Sequence, residues 1–192
     1  MSVPITQGLL RTTVASMNIG DYIAARYTAS AITTIGTYSQ IGTVDTTTVA
    51  AFSSTNLDGY LYLIKIAKGL LVPNIRNMTG ATYNVLNLGN SIYGNKVTID
   101  TRDYLVRVPT IAECTAMMGT LNGTVAVGDM ATNFGATAAS TEIIQENFNL
   151  TQGIYRFTSP ASASNGIASA TATNARLVLE YADDSKCTDV FH

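Results

Sequence analysis

Apolar and polar side chains alternate with a period of two over several short stretches of this chain, the pattern of strands with one face buried. Residues 20–29, Gly-Asp-Tyr-Ile-Ala-Ala-Arg-Tyr-Thr-Ala, alternate large and small side chains and predict a strand. Residues 36–42 predict another, bounded by Gly36 and Gly42, and the Thr- and Ser-rich stretch 43–56 reads as a loop or an edge strand. The strongest signal is 59–66, Gly-Tyr-Leu-Tyr-Leu-Ile-Lys-Ile, because tyrosine and branched residues favour a pleated surface and the run is too short for a helix. Leu70-Leu71-Val72 continues that strand or begins the next, and Pro73, with no N–H to give, stops the ladder. Residues 97–99, 153–157 and 175–181 are also strand-like, the last with cleanly alternating faces.

Two stretches break this period. Residues 79–87 predict a short helix closed by Gly89. Thr110 followed three residues later by Glu113 is a capping box, in which hydroxyl and carboxylate satisfy N–H groups that a helix start leaves unpaired. Ile111, Cys114, Met117, Met118 and Leu121 then fall on one helical face, and Gly119 marks the helix end. Residues 1–16 are poorly patterned and contain Pro4 and Gly8, so they read as a docking arm that gains order by packing on something else. The small-residue stretches 123–139 and 159–173 read as surface loops, the second alternatively as a weak hairpin. No fixed-period repeat and no linker divides the chain. The expected organisation is a single compact α+β, β-rich domain over 17–182 with one or two short helices, an arm over 1–16 and a tail over 183–192.

Composition changes this picture in one respect. Only 12% of the 192 residues are charged, about half the usual share of roughly 25% in a soluble domain. A surface so poor in charge fits burial against copies of itself or neighbours in an assembly, or a monomer whose polar surface is Thr, Ser and Asn. The net charge of -2 comes with scattered Lys and Arg, which argues against nucleic acid as a partner. The longest apolar run, 61–72, is interrupted by Lys65, Lys68 and Gly69 and falls short of the roughly 20 residues that cross a bilayer, so no membrane span is expected. The N-terminus lacks the basic start and apolar stretch of a secretory signal, implying synthesis in a cytoplasm.

Catalytic chemistry finds few materials. The only histidine is His192, so no internal imidazole can act as a base, and Cys114 and Cys187 read as plain thiols outside any metal cluster, a structural bridge between them being the alternative. Asp100, Asp103, Glu113, Glu142 and Glu146 could supply a carboxylate pair for glycoside cleavage. A simpler reading has Glu113 capping a helix, Asp100 and Asp103 flanking a turn, and Glu142 and Glu146 on a solvated face. Asp183, Asp184 and Asp189 could hold a hard cation, or form an exposed acidic tail. The Gly80-Ala81-Thr82 phrase lacks the Lys of a phosphate loop. Asn77, Asn122 and Asn149 begin Asn-x-Thr sequons that a Thr-rich chain produces by chance. Tyr60 and Tyr62 share one strand face, and Tyr155 lies in alternation with Phe157; these four are candidate packing or interface residues. The expectation is a protein without cofactor or metal that is not an enzyme.

Arg107-Val108-Pro109-Thr110 with Glu113, and the ending Ala175-Arg176-Leu177-Val178-Leu179-Glu180-Tyr181, carry a resemblance. Together with the Gly-Asp-Tyr-Ile, Gly-Tyr-Leu-Tyr-Leu-Ile and Lys-Gly-Leu-Leu-Val phrases, they resemble a group of bacteriophage tail-associated structural proteins. In that group an R-L-(P/L)-(S/T)-x-x-E-W helix start and a terminal F-R-P-V-L-E-Y strand bracket the C-terminal half. Those features are also similar to the C-type-lectin-like fold of formylglycine-generating-enzyme relatives, used by some phage receptor-binding proteins as a platform for variable loops. Cys114 stands here where the family has tryptophan, and Leu177 where it has proline. The enzyme relatives' catalytic cysteine pair and the calcium motifs of sugar-binding lectins have no counterpart. The resemblance implies a virion protein of the tail or an attached fibre, synthesised in the host cytoplasm. Its implied partners are other virion subunits, copies of itself in a homo-oligomer, and a host-surface glycan or protein if its loops are adhesive. A capsid or neck decoration protein, a receptor-binding tip and a tail-associated depolymerase are the alternatives.

Overall fold

The computed structural model describes residues 3–6, 8–118, 143–145, 156–157, 163–164 and 172–182. Its frame is an eight-stranded sheet with the order β1-β2-β4-β5-β12-β8-β7, in which β3 also pairs with β2. These strands are β1 (Leu10–Arg11), β2 (Tyr22–Thr28), β3 (Thr37–Ser39), β4 (Asp58–Ala67), β5 (Leu70–Pro73), β7 (Asn95–Ile99), β8 (Arg102–Arg107) and β12 (Val178–Glu180). Two small pairs complete the β structure: β6 (Met78–Ala81) with β11 (Thr173–Ala175), and β9 (Arg156–Phe157) with β10 (Ala163–Ser164). The helices are α1 (Tyr83–Leu88) and α2 (Ile111–Met118). The molecule is therefore β-rich and mostly sheet, with two short helices among the described residues.

The alternation read from the sequence becomes two faces. Ile23, Ala25 and Tyr27 of β2 stand opposite Leu63, Leu61 and Gly59 of β4, on the same side of the sheet. They join Tyr38, Leu71, Leu179, Tyr104, Val106 and Ile99, from the remaining long strands, in one buried cluster. Strands from both ends of the sheet meet in this cluster, so the sheet is curled on itself. Val14 and Met17 close one end of this interior, and Met78, Ala81, Tyr83 and Leu86 close the other. On the outer face, Ile64, Ile66, Leu70, Val72 and Val178 lie under Cys114 and Met117 of α2. Farther along it, Ala24 and Tyr62 are covered by Val44 from the 43–56 segment.

Several expectations are corrected. Residues 79–81 are strand, and the helix starts later because the Thr82 hydroxyl accepts from Val85 N and caps it there, after Gly80 has turned the chain with φ +74°. β8 was not anticipated, and it forms a tight hairpin with β7. Asp100 and Thr101 are the turn itself, both at positive φ, so Asp100 does not flank the turn but sits in it. The single strand read over 175–181 is divided: Thr173–Ala175 pairs with β6, and Val178–Glu180 inserts between β5 and β8. Leu70–Pro73 is a strand of its own, and 43–56 is a loop with one bridge, Ala51 to Tyr60. Residues 8–16, read as an arm ordered by something else, are ordered on this chain's own sheet, where Leu10 and Arg11 pair in parallel with Tyr22 and Ile23. In the 159–173 stretch, Ala163 pairs with Phe157 as a hairpin would. Leu121, Gly119, the 123–139 loop and the 183–192 tail lie outside the described residues.

Candidate functional site

The two motifs that bracket the C-terminal half meet in space. Arg107, at the end of β8, faces outward beside the start of α2, and β12 brings Glu180 to its other side. Arg107 Nη1 and Nη2 donate to Glu113 Oε2 and Oε1 at 2.7 and 2.6 Å, and Nε donates to Glu180 Oε2 at 2.7 Å. Thr110 N donates to Glu113 Oε2 at 2.8 Å, and Glu113 N donates to Thr110 Oγ1 at 3.2 Å, so both arms of the capping box are made. Burial alone would raise the Glu113 carboxyl, but its hydrogen bonds to Arg107 and to Thr110 N outweigh that and hold it below its ordinary range. Burial likewise opposes the charge on Arg107, and the two carboxylates more than restore it. Both oxygens of Glu113 are engaged in this clasp, which joins β8, α2 and β12 and fastens the fold.

The other carboxylates among the described residues are similarly engaged. Asp103 accepts from Thr98 Oγ1 at 2.7 Å and pairs with Lys96 Nζ at 2.7 Å, which lowers its pKa. Asp100 Oδ2 accepts from Ile41 N at 2.6 Å. Glu142 and Glu146 lie outside the described residues, as do Tyr155, Cys187 and His192. No group of three or more metal-ligating side chains occurs among the described residues. Cys114 is buried on the face of α2 that packs on the sheet.

The tyrosines sort by face. Tyr60 and Tyr62 lie on the outer face of β4, and with Tyr22 they form a chain of edge-to-face contacts, Tyr22–Tyr62 at 5.5 Å and Tyr60–Tyr62 at 5.7 Å. Tyr62 is buried under Val44 and its hydroxyl is raised by burial, while Tyr60 is half-buried at the edge of the same cluster. These two pack within the chain. Phe157 is placed in β9, paired with Ala163.

Sequence reasoning missed a set of buried polar residues. Asn77 is fully buried: its Oδ1 accepts from Leu177 N at 3.0 Å and its Nδ2 donates to Tyr38 Oη at 2.8 Å. Tyr38 Oη in turn donates to Leu177 O at 2.7 Å, so two side chains serve the backbone at the break between β11 and β12. The sequon read at Asn77 thus begins with a core residue. Arg176, also buried, donates to Pro73 O. Asp21 gathers the N-terminal segment, accepting from Leu9 N at 2.7 Å, Asn18 N at 2.9 Å and Arg11 Nε at 2.7 Å. Nothing local in the sequence marks these residues as buried; a packed interior tolerates them only because each is paired.

At the turn end of the β7–β8 hairpin lies a cleft along the sheet's seam. Because the sheet curls, its two edges face each other, β1 and the segment after β3 on one side and the β7–β8 hairpin on the other. Ile41 N to Asp100 is a hydrogen bond across that seam. A cavity of about 680 Å³ opens there, bordered by Thr12, Thr43, Thr101, Arg102 and Tyr104. No family model, no curated protein and no solved structure matches the chain.

Proposed function

We infer that this chain is a non-enzymatic structural protein of a bacteriophage particle, of the tail or an attached fibre, working through subunit contacts. A C-type-lectin-like fold is the finer reading of its β-rich body, supported by the motif phrases around Arg107 and Glu180. The observation that carries the contact reading is an exposed apolar strip on the N-terminal edge of the sheet. Val3, Ile5, Leu9 and Leu10 are 50, 61, 60 and 56% exposed, on a segment that ends in a two-residue edge strand. Contiguous exposed apolar side chains on an edge mark a surface that another chain covers. The low charge content supports the same reading.

Light scattering on the purified chain tests it. A mass that is a multiple of 20.3 kDa, reduced to one copy by Leu9→Lys with Leu10→Lys, is the expected result. A monomer at all concentrations that releases sugar from host envelopes would overturn the reading in favour of a depolymerase.

A further inference from the structure

The large apolar side chains that are exposed among the described residues fall into two groups. One is the N-terminal strip. The other is Val85, Leu88 and Tyr93, which are 39, 85 and 61% exposed. Val85 and Leu88 stand three positions apart on α1 and share its outer face, while Tyr83 and Leu86 turn inward and are buried. Tyr93 follows in the turn before β7 and walls a recess of about 230 Å³ together with Asn87, Asn90 and Asn95. The side chains of those three asparagines are exposed and make no hydrogen bond among the described residues.

The two groups lie at opposite ends of β2. Tyr22 N, at its start, donates to Leu9 O at 3.1 Å, and Leu10 pairs with Tyr22. β2 ends at Thr28, where the 29–36 segment turns back to β3, and α1 rests on that segment: a Cβ on Gly89 would sit 2.2 Å from Ile35 Cδ1. The length of β2 puts about 20 Å between the two ends. The chemistry of the two groups matches. Residues 1–10 and 77–95 hold no Asp, Glu, Lys or Arg, and Arg11 and Lys96, which follow them, are paired with Asp21 and Asp103. Interface cores are depleted of charge in this way. The strip also brings the open side of a two-residue edge strand, and asparagine amides can both donate to and accept from its unpaired backbone groups. A contact of strip with strip would leave Leu88 and Tyr93 in water. A contact of strip with α1 covers both groups, and because they face opposite ends it repeats from copy to copy.

We propose that copies of this chain join head to tail, the N-terminal strip of one seated on the Val85, Leu88 and Tyr93 face of the next. This rests on the assembly reading and adds the surface that receives the strip. The test is light scattering on the full chain after gel filtration. It compares the parent with a strip variant (Leu9→Lys with Leu10→Lys), a face variant (Val85→Lys with Leu88→Lys) and an equimolar mixture of the two variants. The parent should form three or more copies and each variant alone a single copy. The mixture should form pairs, because each variant keeps the surface that the other has lost. Lysine is a good helix former, so the face variant should keep the parent's far-ultraviolet circular dichroism. Leu88→Ser, a milder change, should raise the dissociation constant about tenfold. A face variant that assembles as the parent does, a parent that stops at two copies, or a mixture that stays single overturns the head-to-tail contact and leaves the assembly reading standing. A parent that is single at all concentrations removes both.

Discussion

Replacing Glu113 by alanine breaks the Arg107 clasp and the helix cap in one step. Arg107 and Glu113 side chains are 8 and 19% exposed, whereas Glu180 is 49% exposed. Removing one partner of a fully buried ion pair costs about 3–5 kcal/mol. Glu113 is not fully buried, and Arg107 keeps Glu180 and the Val108 carbonyl, so about 2 kcal/mol is the appropriate share of that range. Loss of the capping interaction adds about 1 kcal/mol. The sum, about 3 kcal/mol, lowers the melting temperature by roughly 6–12 °C in a chain of this size. Glu180→Gln should cost about 1 kcal/mol or less, because half its side chain is in water. Asp103→Asn, which breaks the exposed Lys96 pair, should leave the denaturation midpoint close to the parent's. Urea denaturation monitored by far-ultraviolet circular dichroism measures all three. If Glu113→Ala proves no more costly than Glu180→Gln, the clasp is not what anchors α2 and the reasoning fails.

Other outcomes follow from the same geometry. Asp21→Asn replaces an acceptor of three donors with a group that is itself half donor, so residues 8–16 should exchange amide hydrogens faster while β4 and β5 keep their protection; unchanged exchange there would count against the role assigned to Asp21. Asn77→Leu orphans Leu177 N in the interior and should cost about 2–3 kcal/mol, read from the denaturation midpoint, despite adding apolar volume. For Glu113, whose folded pKa lies below the ordinary 4.5, the stabilisation is fully present above that ordinary value and disappears as pH falls through the lower folded one. The stability gap between parent and Glu113→Gln should accordingly be constant at neutral pH, begin to shrink as the pH falls through the ordinary 4.5, and close once it has passed the lowered folded value. If self-association rests on the apolar N-terminal strip, raising the salt should leave it unchanged or strengthen it; dissociation in salt, measured by light scattering, would point to charge instead.

The strands around Tyr22, Tyr60 and Val178 were legible because branched and aromatic residues crowd short runs there, although α2 and the 43–56 segment bury much of their outer face as well. The capping box was legible for a different reason: its chemistry is local, and three residues of spacing specify both hydrogen bonds. β8 escaped because Arg102-Asp103-Tyr104-Leu105-Val106-Arg107 places charge at both ends, and only pairing with β7 and β12 explains it. The split of the last strand escaped because Arg176 reads as an outward-facing residue. It is buried instead, since Asn77 and the Pro73 carbonyl, about a hundred positions earlier, are there to receive the backbone and guanidinium. The late start of α1 depends on the pairing of β6 with β11, which holds the chain extended as far as Ala81, a tertiary constraint that propensity does not contain. The cleft was invisible for the same cause: Thr12, Thr43 and Thr101 are unremarkable threonines until the sheet curls and its edges meet.

A scarcity of charge has a consistent structural use. Arg11–Asp21 ties β1 to the residue preceding β2, Arg26–Asp58 ties β2 to β4, Lys96–Asp103 ties β7 to β8, and Arg107 ties β8 to α2 and β12. Lys65 donates to the Met17 carbonyl and closes the interior at the end where the N-terminal segment crosses. Each of these charges fastens one element to its neighbour, and several sit on edges or turns where the ladder of backbone bonds is shortest. Few charges remain to repel a second copy at a distance or to steer one in. Association would then be decided at contact, by shape and by apolar side chains such as Leu9 and Leu10, and the energetic consequence is slow encounter with tight closure once the surfaces fit.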